Sequence, residues 1–287
     1  MNQKPNTEID LTAVNYFITN CVTKNNNITN INYLFYNCRN ISFSEQNFID
    51  NSTYIDMSNF SKVNTAVGSF ADTNIQCIDK RMWNFGAAEI DLRNFVYPYA
   101  RGNNNTDYLY VSIDSLENII SKVTKLNLGS IANIYFNIVV YNKDKTEKPN
   151  EINLYDFFNP NGISPSKLIE LSRWFVYCDQ ILNLDNLFNQ NWKNFESLIY
   201  FCTYTNYKKY NNLFKNLSNI TTVASSLMYK EDQEEVDLFE IFNWKKFLTK
   251  QNCSFSNHSA DSWYNPPFSF KKKIDYNNLK LLCNYIT

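Results

Sequence analysis

Apolar side chains recur along this chain in two short patterns, and both return far downstream of where they first occur. The longer pattern is ITNINYLFYNCRNI at 28–41, which comes back as LIELSRWFVYCDQI at 168–181. Each copy places an aliphatic residue at its first and fourth positions, a large apolar residue at its seventh, Phe at its eighth, Cys at its eleventh and Ile at its fourteenth. Weaker copies start at Val63, Phe195 and Ile220. They keep the apolar fourth position, and their eighth residues are Phe70, Cys202 and Leu227. The spacing of Ile28, Ile31, Leu34, Phe35 and Cys38, repeated by Leu168, Leu171, Trp174, Phe175 and Cys178, is the stripe of a short helix with one buried face. It predicts helices over 28–38, 63–73, 168–178, 195–205 and 220–228.

The shorter pattern has the form apolar-x-apolar-x-x-apolar: IDMSNF (55–60), IDLRNF (90–95), LNLGSI (126–131), INLYDF (152–157), LNLDNL (182–187) and VDLFEI (236–241). Its starts are separated by 35, 36, 26, 30 and 54 residues. Alternation over three residues predicts a short strand, which is stable only with a like strand about 4.8 Å above and below it. Short strands alternating with helices that return the chain to the next parallel strand predict the turns of a solenoid.

The segments YIDMSNF…KVNTAVGSFADTNI and ITNINYLFYNCRNI resemble the BspA-like leucine-rich repeats of bacterial surface proteins, whose units join an L-x-L-S-x-F strand to a V-x-x-M-x-x-M-F-x-x-C helix. The resemblance extends over roughly residues 28–245. It implies an α/β fold, an irregular leucine-rich-repeat-like solenoid with short parallel strands, return helices and non-repeat segments at the C-terminus. The expected organisation is an N-terminal cap at 1–27, the degenerate solenoid at 28–245 with an insertion at 96–122, and a C-terminal cap or linker at 246–287. The competing reading is a compact α/β domain whose strands and helices are ordinarily amphipathic.

Composition narrows the partners. With 287 residues the chain is long enough for a sizeable core, and its 16% aromatic content and net charge of −1 predict a chain folded nearly throughout. Charged residues make up only 19%, so no global field draws it to nucleic acid or to anionic lipid, and neither is an expected partner. Asn, Ile, Lys and Tyr are abundant, the bias that an AT-rich genome produces. The seven cysteines are odd in number and form no C-x-x-C pair, which predicts reduced, buried thiols. Sequons at Asn27, Asn40, Asn51, Asn216 and Asn219 follow from the Asn content alone. The start MNQKPNTEIDLTAV lacks the pattern of a secretory signal, and no window approaches the roughly 18 apolar residues of a spanning helix. Synthesis in the cytoplasm and a soluble product are expected.

Signatures of chemistry are sparse. The single histidine, His258, lies in SFSNHSADSW, where Ser256, Ser259 and Asp261 are too close in sequence to assemble a triad. Cys253 gives His258 no zinc spacing. Five dispersed glycines exclude a Gly-rich phosphate cradle, EDQEEVD at 231–237 lacks the pattern of an EF-hand, and the lysines of 271–273 suit a surface turn. No cofactor, metal or catalytic residue is expected. What remains is a polar row: Asp56, Asp91, Asp185 and Asp237 stand beside apolar residues of the strand units, and stacking would bring such positions to one concave face. That row, with Ser58, Arg93, Asn127, Asn153, Tyr155 and Asn183, is the expected surface for a protein or polysaccharide partner. Three functions follow in descending order. The first is a non-enzymatic, adhesin-like recognition protein. The second is a structural component of a large assembly such as a bacteriophage virion, contacting copies of itself or other virion proteins. The third is a glycan-active enzyme, for which paired carboxylates would be needed.

Overall fold

The third residue of each described copy of the long pattern is a rung in a single parallel register. The computed structural model describes residues 9–224 apart from 25–26, 52, 99–107, 129–136, 176–177, 189–190, 200, 203–204, 210–212, 214–218 and 220–221. Within it, Asn30, Thr65, Asp91, Lys125, Glu170, Ser197 and Thr222 are successive Cα partners. The residue after each rung turns inward: Ile31, Ala66, Leu92, Leu126, Leu171 and Leu198 are all buried. Alternation of this kind is what a strand with one buried face requires.

Two positions further on, the backbone enters the left-handed region. Tyr33, Gly68, Asn94 and Arg173 have φ of 59, 63, 54 and 61°. The N–H of Tyr33 donates to the Val67 carbonyl, that of Gly68 to Arg93 and that of Asn94 to Asn127, so these corners repeat from rung to rung. A left-handed residue swings the chain around a corner, and the apolar side chains on either side of it continue to face the core. Strand plus corner thus reproduces the helical spacing of positions one, four, seven, eight and eleven. This corrects the expected return helices. Residues 32–37 are turns, 63–73 run from turns into a strand, and 168–178 and 195–205 begin as strands. In the second pair the corner adds Phe175 at φ 56° and Cys202 at φ 50°.

The described helices lie elsewhere. In chain order the elements are α1 (Leu11–Lys24), β1 (Ser42–Phe43), α2 (Glu45–Asp50), β2 (Phe70–Ile75), β3 (Cys77–Ile78), β4 (Ile90–Arg93), β5 (Val96–Pro98), β6 (Tyr108–Ser112), β7 (Val123–Asn127), β8 (Asn137–Tyr141), β9 (Glu151–Asn153), α3 (Leu154–Phe158), β10 (Glu170–Ser172), β11 (Ile181–Asn183), β12 (Ser197–Ile199), β13 (Tyr207–Lys208) and β14 (Thr222–Ala224). Helix α2 begins at a capping box in which the Ser44 and Asn47 side chains each accept from the other's backbone N–H, and it ends at a left-handed Asn51. No described helix is long and apolar enough to cross a membrane.

Among the described residues the strands form small sheets, every one of them parallel: β1-β2-β5, β3-β6-β8, β4-β7-β10-β12-β14 and β9-β11-β13. The protein is therefore an α/β chain of several small all-parallel sheets. Segment 96–122, expected as an insertion, supplies β5 and β6 to two of them. The unit IDMSNF at 55–60 forms no strand; Ile55, Met57 and Phe60 are nevertheless buried.

Between the sheets lies one hydrophobic core, from Leu11 to Leu213. Phe35 stacks on Phe70 at 5.0 Å and Phe70 meets Phe95 edge-on at 5.3 Å, a column of rings on neighbouring rungs. Further along, Phe157, Phe158, Trp174, Phe175, Trp192 and Phe201 form a second aromatic group. Cys77, Cys178 and Cys202 are buried and reduced, and Cys38 is half-buried and reduced. Packing leaves no room at Gly86, where an added Cβ would sit 2.7 Å from the Ser61 Cα. Gly86→Ala is expected to lower stability by about 1–3 kcal/mol through forced backbone movement, a shift that thermal unfolding would register.

Candidate functional site

The polar residues singled out by the sequence share one local structure. An Asp or Asn of each unit accepts, through its side chain, the backbone N–H two residues later: Asp56 from Ser58 at 2.8 Å, Asp91 from Arg93 at 3.1 Å, Asn153 from Tyr155 at 3.1 Å and Asn183 from Asp185 at 3.0 Å. Asn30 and Asp79 do the same to Asn32 and Arg81. These are Asx turns, in which a short polar side chain replaces a backbone acceptor and turns the chain out of the strand. The D/N-x-polar spacing within each unit is their sequence signal. One oxygen of each is thus committed to the backbone.

They do not lie in one row. Asp91 and Arg93 belong to β4 and Asn127 to β7 of the five-stranded sheet, whereas Asn153 and Asn183 are direct partners in β9 and β11 of another. Asp56 and Ser58 precede no strand pairing of their own. Asp237 lies outside the described residues. The expectation of a single concave row fails because the strand units pair in two different sheets.

On the five-stranded sheet, Arg93 grips Asp91 through Nε at 3.0 Å and Nη2 at 2.8 Å. Its hydrogen bonds to that carboxylate raise the guanidinium pKa despite partial burial. Lys125 and Glu170 follow Asp91 along the register, so charge alternates in sign down this face. Beside Arg93, Asn127 has a buried Oδ1 with no partner among the described residues.

On the other sheet the two neighbouring turns enclose an open depression of about 380 Å³ lined by Asn153, Tyr155, Asn183, Asp185 and Asn186. Parallel pairing sets Asn153 beside Asn183. Asn153 is fully engaged, its Nδ2 donating to Asp156 at 2.8 Å. The Tyr155 hydroxyl and the Asn183 Nδ2 have no partner among the described residues. Four residues expected for partner contact are thus brought together, and Asn186, at φ 57°, joins them.

No family model, curated protein or solved structure matches this chain.

Sequence reasoning missed a charge cluster around the buried Asp79. The loop after β8 lays Lys145 and Lys148 across α2 and β3. Lys145 Nζ lies 2.7 Å from Asp79 Oδ2 and 4.2 Å from the centre of the Phe48 ring, and Arg81 Nε lies 2.6 Å from Asp79 Oδ1. Burial by itself would raise the Asp79 carboxyl, but hydrogen bonds from Arg81 and Lys145 outweigh it and hold the pKa down to about 2. Nearby, Glu45 accepts from the Tyr141 hydroxyl at 2.5 Å and pairs with Lys148 at 2.7 Å. Lys148 also stands 5.0 Å from the centre of the Tyr141 ring and 5.5 Å from that of Tyr110. These lysines border an open hollow of about 540 Å³ with Ile49, Asp144 and Thr146. Both ammonium groups are already paired with carboxylates, so the hollow offers a ligand little charge. Partners as far apart as Lys145 and Asp79, 66 residues, or Tyr141 and Glu45, 96 residues, leave no local signal. Among the described residues no group of His, Cys, Asp and Glu could hold a metal ion.

Proposed function

We propose that this is a non-enzymatic recognition protein, built as a degenerate leucine-rich-repeat-like solenoid, which binds a protein or polysaccharide partner along its parallel-strand surface. The solenoid reading is supported by the seven successive rungs and by corners that recur at one position of the unit. These corners replace the return helices of the BspA-like repeats, so the likeness to that family lies in the strands and in the stacking. Adhesion is the function which that likeness would imply.

The observation that carries the binding role is the depression between β9 and β11. Paired Asx turns border it, and among the described residues its phenol and the Asn183 amide donor have no hydrogen-bond partner. Such a surface can hydrogen-bond peptide groups or sugar hydroxyls, and the phenol ring can stack on either. Screening the purified full chain against glycan and protein arrays tests the reading. Tyr155→Ala and Asn183→Ala are each expected to weaken capture of the partner about tenfold, the effect of losing one well-placed contact. Unchanged capture by both variants would remove the depression from the function. Recovery of the chain at fixed stoichiometry in purified particles, without capture of any partner, would replace recognition by a role in an assembly.

A further inference from the structure

Aromatic rings are exposed at the first corner in an arrangement that the packing does not explain. Tyr33 is 60% exposed although its backbone sits at φ 59°, a conformation that costs a non-glycine residue about 1–2 kcal/mol. Its ring lies across Gly68 on the next rung, so close that a Cβ there would meet Tyr33 Cε1 at 2.6 Å. The ring is thereby held in one orientation. Tyr36, 48% exposed, meets it edge-on, with centroids 5.8 Å apart and planes at 84°. The two exposed rings, at right angles to one another, form a corner. The Asn37 N–H donates to the Ala71 carbonyl at 2.9 Å, which sets Asp72 beside this corner, and the Asp72 charge raises the Tyr36 phenol pKa while Arg39 opposes it.

The same three parts occur elsewhere in the chain with an occupant. Tyr110 and Tyr141, with centroids 6.4 Å apart, and the Glu45 carboxylate surround the Lys148 ammonium. Ring faces carry partial negative charge and attract a cation, and a carboxylate beside them adds a charge-assisted hydrogen bond. At the Tyr33 corner no lysine of the described residues fills the equivalent place.

From this geometry we infer that Tyr33, Tyr36 and Asp72 form a docking site for a lysine side chain presented by a partner protein. The two rings bind the methylene stem and the charge, and Asp72 orients the ammonium. Tyr33 is held in advance by Gly68, so little ordering is needed on contact. The inference does not depend on the depression between β9 and β11, which lies on a different sheet.

A capped hexalysine peptide titrated into the full-length protein, followed by the ring resonances of the tyrosines, tests it. The expected result is saturable binding that weakens with added salt. Tyr33→Gly, which suits the left-handed backbone and keeps the corner folded, and Asp72→Asn are each expected to reduce the association constant about three- to fivefold. Tyr33→Phe is expected to retain it. Equal hexalysine binding by wild type, Tyr33→Gly and Asp72→Asn would overturn the assignment. So would saturable binding of uncharged maltohexaose that these variants abolish, since that would make the corner a saccharide platform. Loss of the depression's partner on Tyr155→Ala, with hexalysine binding unchanged, would leave the assignment intact.

Discussion

Replacing Phe175 with Ala is expected to lower the free energy of unfolding by about 3–5 kcal/mol. Its ring is fully buried and touches Phe157 at 5.3 Å, Phe158 at 6.2 Å and Phe201 at 6.4 Å, so truncation opens a cavity that neighbouring rungs cannot close together. Rings on adjacent parallel strands are held by the ladder spacing, which limits collapse. The equivalent change at Phe35 should cost less, because that ring is only half-buried, between Phe17 at 5.6 Å and Phe70 at 5.0 Å. Urea unfolding of both variants would show the order. Equal losses would mean that position eight contributes the same packing in both copies, which their burial contradicts. Part of the Phe175 effect tests the corner: at φ 56°, Phe175→Gly should recover some of the loss relative to Ala, since glycine adopts that backbone without penalty.

The second large effect is expected at Asp79. Its carboxylate is almost wholly buried and holds both Arg81 and Lys145, whose side chains are 25% and 11% exposed. Asp79→Asn removes the negative charge and leaves Lys145 buried against the Phe48 ring without a counter-ion. Breaking a buried pair in this way costs about 3–5 kcal/mol. The acid dependence has a definite sign. With a folded pKa held down to about 2, the contribution of Asp79 is fully present above the ordinary carboxylate value near pH 4, and it is lost as the pH falls through about 2. Between those limits the unfolded chain takes up a proton that the folded one refuses. Unfolding midpoints measured from pH 5 to pH 2 should fall for the wild type and flatten for Asp79→Asn in that window. An unchanged slope in the variant would place the acid sensitivity on other carboxylates.

How much of the site was legible depends on how local its interactions are. Asp91, Asn153 and Asn183 stood out in the sequence as polar residues of the strand units, and the Asx turn that each makes needs only the N–H two positions on, within the same unit. That Asn153 and Asn183 would become neighbours while Asp91 joined Lys125 depended on which strands paired, and nothing inside six residues specifies that. The Tyr33 corner lay between these cases. Its two tyrosines were visible three positions apart, but Asp72 and Gly68 came from the next rung.

The helix expectation failed for a related reason. Apolar residues at positions one, four, eight and eleven satisfy a helix with one buried face, and they satisfy equally a strand that turns at a left-handed corner. Tyr33 and Arg173 carry no local signature of positive φ, a region disfavoured for side chains of their size. Tyr33 is held there by the hydrogen bond that its N–H donates to the Val67 carbonyl on the adjacent rung.

By itself, the sequence determined which positions recur and which of them face inward. Aligning ITNINYLFYNCRNI with LIELSRWFVYCDQI already equated Asn30 with Glu170 and Ile31 with Leu171, positions that prove to be rungs and core residues of one ladder. Such matching survives because each unit must bury the same side of the chain. Only the tertiary structure decided that the unit bends at left-handed corners, that the strand units divide between separate sheets, and that Lys145 and Lys148 reach back to Asp79 and Glu45. Those features are contacts between distant rungs, and their stabilisation exists only once the rungs have stacked.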